Sequence, residues 1–138
     1  MSQRGTLTVE FALLVPAIAL LFGLAIGGAR VWMARSTVET IAGAAARAAV
    51  MERSPQSARS AAERLSAIQA TTSGLRCASL RLRVDTAAFA RPVGTPGSVT
   101  TAVVCEVSLG DVLVPGWPGT VSISASGSAP LDSYRGRK

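Results

Sequence analysis

A chain of 138 residues with a net charge of +6 and only 4% aromatic side chains has room for one small domain and a thin core. It contains no histidine, so Ser–His and Cys–His nucleophile pairs are excluded, and no phosphate-binding glycine loop or dinucleotide fingerprint occurs. Glu39, Glu52, Glu63, Asp85, Glu106, Asp111 and Asp132 are dispersed, so neither an enzyme, a metal centre nor a cofactor is expected. The arginines are scattered without interleaved aromatics. That pattern favours solvated faces and membrane-proximal charge over nucleic acid.

The first element is a short polar leader, residues 1–5, followed by an almost wholly apolar run from Phe11 to Ala29. At 1.5 Å per residue the run reaches about 28 Å, close to the hydrocarbon thickness of a bilayer. A transmembrane helix over residues 6–29 is expected. A buried helix of a soluble protein is the competing interpretation, but little else in the chain offers surface to bury it. Glu10 stands at the edge of this run, where an acidic side chain is costly for a helix destined only for lipid. It is either an interfacial carboxylate or a functional one. Cleavage after Gly5 would make Thr6 the new N-terminus and Glu10 the fifth mature residue. The Glu10 carboxylate could then pair with the free ammonium of a neighbouring subunit.

Pro16 removes one backbone donor, and a kink near Ala12 is expected. Ala19, Gly23 and Gly27 recur every four residues on one face and would let a second helix approach closely. With Glu10 and Phe11, these are the candidate assembly residues. Lys and Arg near the two ends of the run, Arg4 against Arg30, Arg35 and Arg47, favour a cytoplasmic C-terminus by charge alone. The leader, the paired cysteines and the Ser/Thr-rich strands favour export, and we weight these more heavily.

The segment Arg4-Gly5-Thr6-Leu7-Thr8-Val9-Glu10-Phe11-Ala12-Leu13-Leu14-Val15-Pro16 resembles the start of TadE-like proteins, minor pilins (pseudopilins) of the tight-adherence, or Flp, type IV pilus system. The strongest resemblance covers about residues 4–50, and the tail 129–135 is also similar to members of that family. The resemblance implies cleavage by a prepilin peptidase after Gly5, with Thr6 as mature terminus and Glu10 as the motif glutamate. It also implies other pilins and pseudopilins, the pilus assembly platform in the membrane, and the lipid bilayer as partners. The expected location is the cytoplasmic membrane, single-pass, with an extracytoplasmic C-terminal domain that could reach a cell-surface pilus.

Residues 30–53 continue the helical pattern, with Val31, Val38, Ile41, Ala42, Ala45, Ala48 and Ala49 on one stripe. One helix from Thr6 to Arg53 is expected, its stripe forming a spine for the domain of residues 54–138; an amphipathic segment lying on the membrane is the alternative. Ser54-Pro55 breaks it. A second helix is expected over residues 56–70, ended by Thr71-Thr72-Ser73-Gly74.

From Leu75 the period becomes two. Leu80, Leu82 and Val84 share one face, as do Val99, Thr101, Val103, Cys105 and Val107, and then Val121, Ile123 and Ala125. Three antiparallel strands follow, giving an α+β, pilin-like architecture. The connection 87–98 has the composition of a mobile loop, and Pro115–Gly119 reads as a second turn, with Trp117 covering the sheet edge or making an exposed contact. Cys77 and Cys105 suit one disulfide in an oxidising compartment, against two buried thiols. Matching the apolar faces of the first two strands needs opposed residue numbers with an odd sum, whereas Cys77 and Cys105 sum to an even one. A disulfide therefore requires a bulge near Ala78, or Cys77 ahead of the strand.

The expected function is a minor pilin that assembles by lateral helix packing. An uncleaved single-pass anchor with a scaffolding or sensing domain is the alternative. A protein secreted after ordinary signal-peptidase cleavage at Gly27-x-Ala29, or a DNA-capturing basic domain, would also account for parts of the sequence.

Overall fold

The structure, a computed structural model, describes residues 4–108 and 119–134. Its first element, α1 (Arg4–Met51), is a helix of 48 residues, about 72 Å long. The helix is unbroken across Pro16. The apolar run and the stripe beyond it are therefore parts of one rod.

The end of α1 and the start of α2 (Pro55–Thr72) are written in Ser54-Pro55. Ser54 is extended, with φ −127° and ψ 152°, as the residue before a proline prefers. Its hydroxyl accepts the Ser57 amide at 3.2 Å, and its own amide donates to Ser57 Oγ at 3.4 Å. The result is a reciprocal cap with Ser57 in the place usually held by Glu or Gln. Pro55 occupies the first turn, where its missing donor costs nothing. At the other end Ser73 N–H reaches the Gln69 carbonyl at 2.9 Å. Gly74 then takes φ +69°, the left-handed conformation that lets a chain leave a helix.

The two helices form an antiparallel hairpin packed through alanine. Ala45 and Ala49 of α1 meet the level of Ala58 and Ala62 of α2, in one core with Phe89, Val99 and Leu131. Nearer the apolar run, Ala34, Val38, Ile41 and Ala42 of α1 share a second core with Ala70 of α2. Small side chains let the helix backbones approach closely. The same choice means that each residue removes little apolar area from water.

The hairpin covers one face of a three-stranded antiparallel sheet, β1 (Cys77–Asp85), β2 (Gly97–Ser108) and β3 (Thr120–Leu131), in the order β1-β2-β3. The expected α+β architecture is thus observed. Along β2, Val99, Thr101, Val103, Cys105 and Val107 are buried, and the intervening residues are exposed or half-buried. Leu80 opposes Cys105 and Leu82 opposes Val103, the odd-sum register. It shifts between Cys77 and Ser79, so that Cys77 opposes Val107; the bulge lies at Ala78, as the cysteine arithmetic requires. The burial of Val38, Ile41, Ala42, Ala45 and Ala49 against α2 and the sheet excludes the alternative in which this stripe lies on a membrane.

The connection after β1 departs from expectation. Residues Ala87–Ala90 form a short 3₁₀ turn that buries Ala88 and Phe89. The Asp85 carboxylate accepts the Ala87 amide at 2.9 Å, and Phe89 N–H donates to the Thr86 carbonyl at 3.0 Å. Further on, Gly94 N–H donates to the Ser133 carbonyl at 2.8 Å, tying this segment to the C-terminal tail. Proline and glycine suggested mobility, but one apolar anchor and local hydrogen bonds pin the connection. The second expected turn, with Trp117, lies outside the described residues.

Candidate functional site

The candidate assembly residues occupy the half of α1 that the domain leaves uncovered. Only 6% of the most apolar window of this helix is buried, and Phe11 is 69% exposed. Leu13, Leu14, Val15, Leu21 and Phe22 are also exposed. A rod of this length with apolar side chains facing outward all round is suited to lipid, because every backbone donor and acceptor is satisfied within the helix. This half of α1 is not part of the domain's core, whose apolar contacts with α1 begin at Val31 and Ala34.

Gly5 and Thr6 lie within the first turns of α1. Glu10 follows about one to two turns later and is exposed, at the boundary between the polar start and the apolar run. Pro16 and Ala19 are exposed, Gly23 is half-buried and Gly27 is buried. Ala19, Gly23 and Gly27 lie four residues apart and so share one face of α1, a face of small residues. Glu10 and Gly27 are separated by about 26 Å of helix, so the carboxylate and the small-residue face lie at different levels along α1.

The structure brings the two cysteines together. Cys77 and Cys105 are bonded, with Cα atoms 5.4 Å apart and a sequence separation of 28. The bulge at Ala78 makes this possible by moving Cys77 one position along the β2 ladder, diagonal to Cys105. The bond ties the β1 edge to the central strand.

A second set of residues was not singled out by sequence reasoning, yet it joins the spine to the sheet. Thr101, 0% exposed, donates its hydroxyl to the Ala42 carbonyl of α1 at 2.7 Å. Gly127 opposes Thr101 on β3. A Cβ added at Gly127 would overlap the Ala42 carbonyl group and lie 2.6 Å from the Gly43 amide nitrogen. Helix backbone and strand backbone therefore touch here, and only glycine permits it. The sequence offered only a glycine interrupting a strand-like alternation at Ser126-Gly127-Ser128, which marks an unusual position in a strand without naming what approaches it.

Comparison with known proteins bears on the same half of the molecule. The family model described as TadE-like protein matches residues 5–47, which include Gly5, Glu10, the apolar run and much of the domain-facing stripe. The match leaves α2, the sheet and the tail 129–135 outside it. No curated protein and no solved structure matches the chain. Over residues 5–47, about a third of the chain, the sequence is therefore TadE-like, and that stretch contains the N-terminal helix long and apolar enough to cross a membrane.

Proposed function

We propose that the chain is a minor pilin or pseudopilin, a non-catalytic subunit that takes part in assembling or priming a tight-adherence (Flp) type IV pilus. Residues 1–5 are its leader, removed by a prepilin peptidase after Gly5. Residues 6–29 span the cytoplasmic membrane once, and residues 30–53 continue as the spine. Residues 54–138 form the domain, held on the extracytoplasmic side. Its partners are other pilins and pseudopilins and the membrane platform of the pilus machine.

The observation that carries this proposal is the placement of Glu10. It is an exposed carboxylate at the mouth of an apolar helix, five residues past the motif glycine, inside the TadE-like match. Trimming at Gly5 would create a positive charge at Thr6. In a low-dielectric bundle that ammonium and the Glu10 carboxylate of a neighbour attract strongly, and leaving one unpaired is costly. The pair would set the axial register between subunits, while the Ala19/Gly23/Gly27 face would set how closely the helices pack. Support for an extracytoplasmic domain comes from the Cys77–Cys105 bond, since disulfides persist in oxidising compartments.

Glu10→Leu tests the proposal. The variant should still insert in the membrane but should lose co-purification with partner pilins and should fail to support pilus formation. Unchanged partnering and unchanged pili in that variant would end this interpretation.

A further inference from the structure

We infer that the open edge of β3 pairs with the β1 edge of a second copy of this chain, as parallel strands; this rests on the membrane-spanning role proposed for α1. The order β1-β2-β3 leaves β1 and β3 as the two edges of the sheet. The Gly127 carbonyl lies 3.4 Å from the Thr101 hydroxyl, so the backbone polar groups of Gly127 face β2. Those of Ser122, Ser124, Ser126 and Ser128 then face outward, because the direction alternates along an antiparallel strand. Pro130, which has no amide donor, falls in the same outward set, where an edge strand tolerates it. Across β2 the same alternation turns the groups of Leu80, Leu82 and Val84 to the outer edge of β1. Among the described residues no hydrogen bond is made to either outward row.

The two edges are guarded unequally. Edge strands are commonly protected from pairing by charge, bulges or proline. β1 has its bulge at Ala78 and the exposed Arg81 and Arg83. β3 runs for 12 residues with no charged side chain, and it pairs with β2 without a register shift. Within β3 only Pro130, near one end, blunts the edge.

The spanning rod decides which strand β3 can receive. β1 and β3 both run in the direction of α1, since Cys77 and Val121 share a core with Ala34 while Val84 and Leu131 share one with Ala49. Antiparallel pairing of β3 with another β3 would turn one α1 upside down, which a shared bilayer forbids. Antiparallel β1 with β1 does the same and also brings Arg81 and Arg83 against their own counterparts. Parallel β3 with β3 keeps the rods upright but sets a serine row beside a Val121/Ile123 row, with the helical hairpins on opposite faces. Parallel β3 with β1 of the neighbour keeps the rods upright and the faces in step. In a parallel pair the outward groups of a residue bond to the residues on either side of the one it opposes, so Ser124 bonds to Leu80 and Leu82 when it opposes Arg81. The neutral serine row then continues into the arginine row, and the helix-facing rows also join.

Equal depth in the bilayer fixes the register. Arg81 and Ser124 both pair with Val104, and Arg83 and Ser126 both pair with Ala102, so each couple stands at one height. Copies inserted to the same depth therefore set Ser124 beside Arg81 and Ser126 beside Arg83 of the neighbour. Helices packed through alanine lie near the lower limit of about 8 Å, so two of them repeat at about 16 Å, against about 14 Å for three strands. A shallow curvature of the joined sheet lets adjacent hairpins lie side by side. Such a contact is heterologous and can repeat along a row of copies.

The test uses the full chain in phosphatidylcholine vesicles. Two differently tagged variants, Ser124→Cys and Arg81→Cys, are mixed and treated with a short bis-maleimide; the native Cys77–Cys105 bond leaves no other thiol. A cross-link between the two tags is expected. Like positions on neighbouring copies stand three strands apart, about 14 Å, beyond the linker, so neither variant alone should dimerise. Ser124→Pro removes only an outward donor, so it should leave the near-ultraviolet circular dichroism unchanged. It should nevertheless cut the cross-link between Ser126→Cys and Arg83→Cys about fivefold, the weight of one hydrogen bond. Linking of Ser124→Cys to itself would show β3 against β3 and overturn the arrangement. So would the absence of any link between chains that stay in the vesicles through alkaline extraction, which leaves the spanning role standing. Chains stripped off by that extraction would end the spanning role and this pairing with it. In host membranes, a Ser124→Cys link to a chain of different mass in place of a second copy would overturn this choice of occupant.

Discussion

Gly127→Ala should destabilise the domain more than any other single-methyl addition on β3. An ordinary van der Waals contact for a Cβ is 3.4–4 Å, whereas a methyl at Gly127 would lie 2.6 Å from the Gly43 amide nitrogen and closer still to the Ala42 carbonyl. Both obstacles are helix backbone, which cannot rotate away as a side chain can. Strand and helix would have to separate by at least about 0.8 Å, the difference between 2.6 and 3.4 Å, and by more to clear the nearer Ala42 carbonyl. The same movement stretches the 2.7 Å bond from Thr101 to the Ala42 carbonyl to about 3.5 Å, beyond useful hydrogen-bond range. Overpacking costs about 1–3 kcal/mol, and leaving a buried hydroxyl without its partner costs about 1–3 kcal/mol more. A total of roughly 2–6 kcal/mol is expected, a large share of the stability of a small domain. Denaturant unfolding of the full chain in detergent, followed by near-ultraviolet circular dichroism, measures it. Ser126→Ala, an exposed neighbour on the same strand, is the control and should change little. A loss below about 0.5 kcal/mol for Gly127→Ala would refute the claim of direct backbone contact.

Thr101→Val keeps the shape but removes the donor to Ala42, and should cost about 1 kcal/mol in the same unfolding assay. Replacing Cys77 and Cys105 together by alanine should lower stability by about 3–4 kcal/mol, from the loss of a cross-link spanning 28 residues; protease susceptibility of the β1 edge should rise in parallel. Ser54→Ala removes the cap of α2 and should cost about 1 kcal/mol, read as an earlier loss of helical signal on heating. Glu39→Gln breaks the exposed Arg35–Glu39 pair, whose atoms are 3.2 Å apart, and should change unfolding by less than about 0.5 kcal/mol.

Most of the architecture was legible because its signals are periodic. The stripe from Val38 to Ala49 has helical spacing, and the residues from Val99 to Val107 alternate, so burial followed directly. The bulge at Ala78 was legible for a different reason. Apolar facing and disulfide geometry imposed two incompatible registers, and one inserted residue reconciles them. The pinned connection at Ala87–Ala90 was not legible. The prolines and glycines that follow it, Pro92, Gly94, Pro96 and Gly97, suggested a loop, while one aromatic, Phe89, is buried and decides its placement. Nor did the sequence point to the contact of Gly127 with Ala42 and Gly43. That contact depends on where two distant elements cross, and no local pattern encodes a crossing point. At the N-terminus the positions are local: Gly5, Glu10 and the small residues can be read from spacing.

The most direct measurement is the mass of the mature N-terminus of the protein isolated from its native host. The account predicts a chain that begins at Thr6, with a free amine and Glu10 as its fifth residue. A chain beginning at Arg30, or one that keeps residues 2–5, would contradict it.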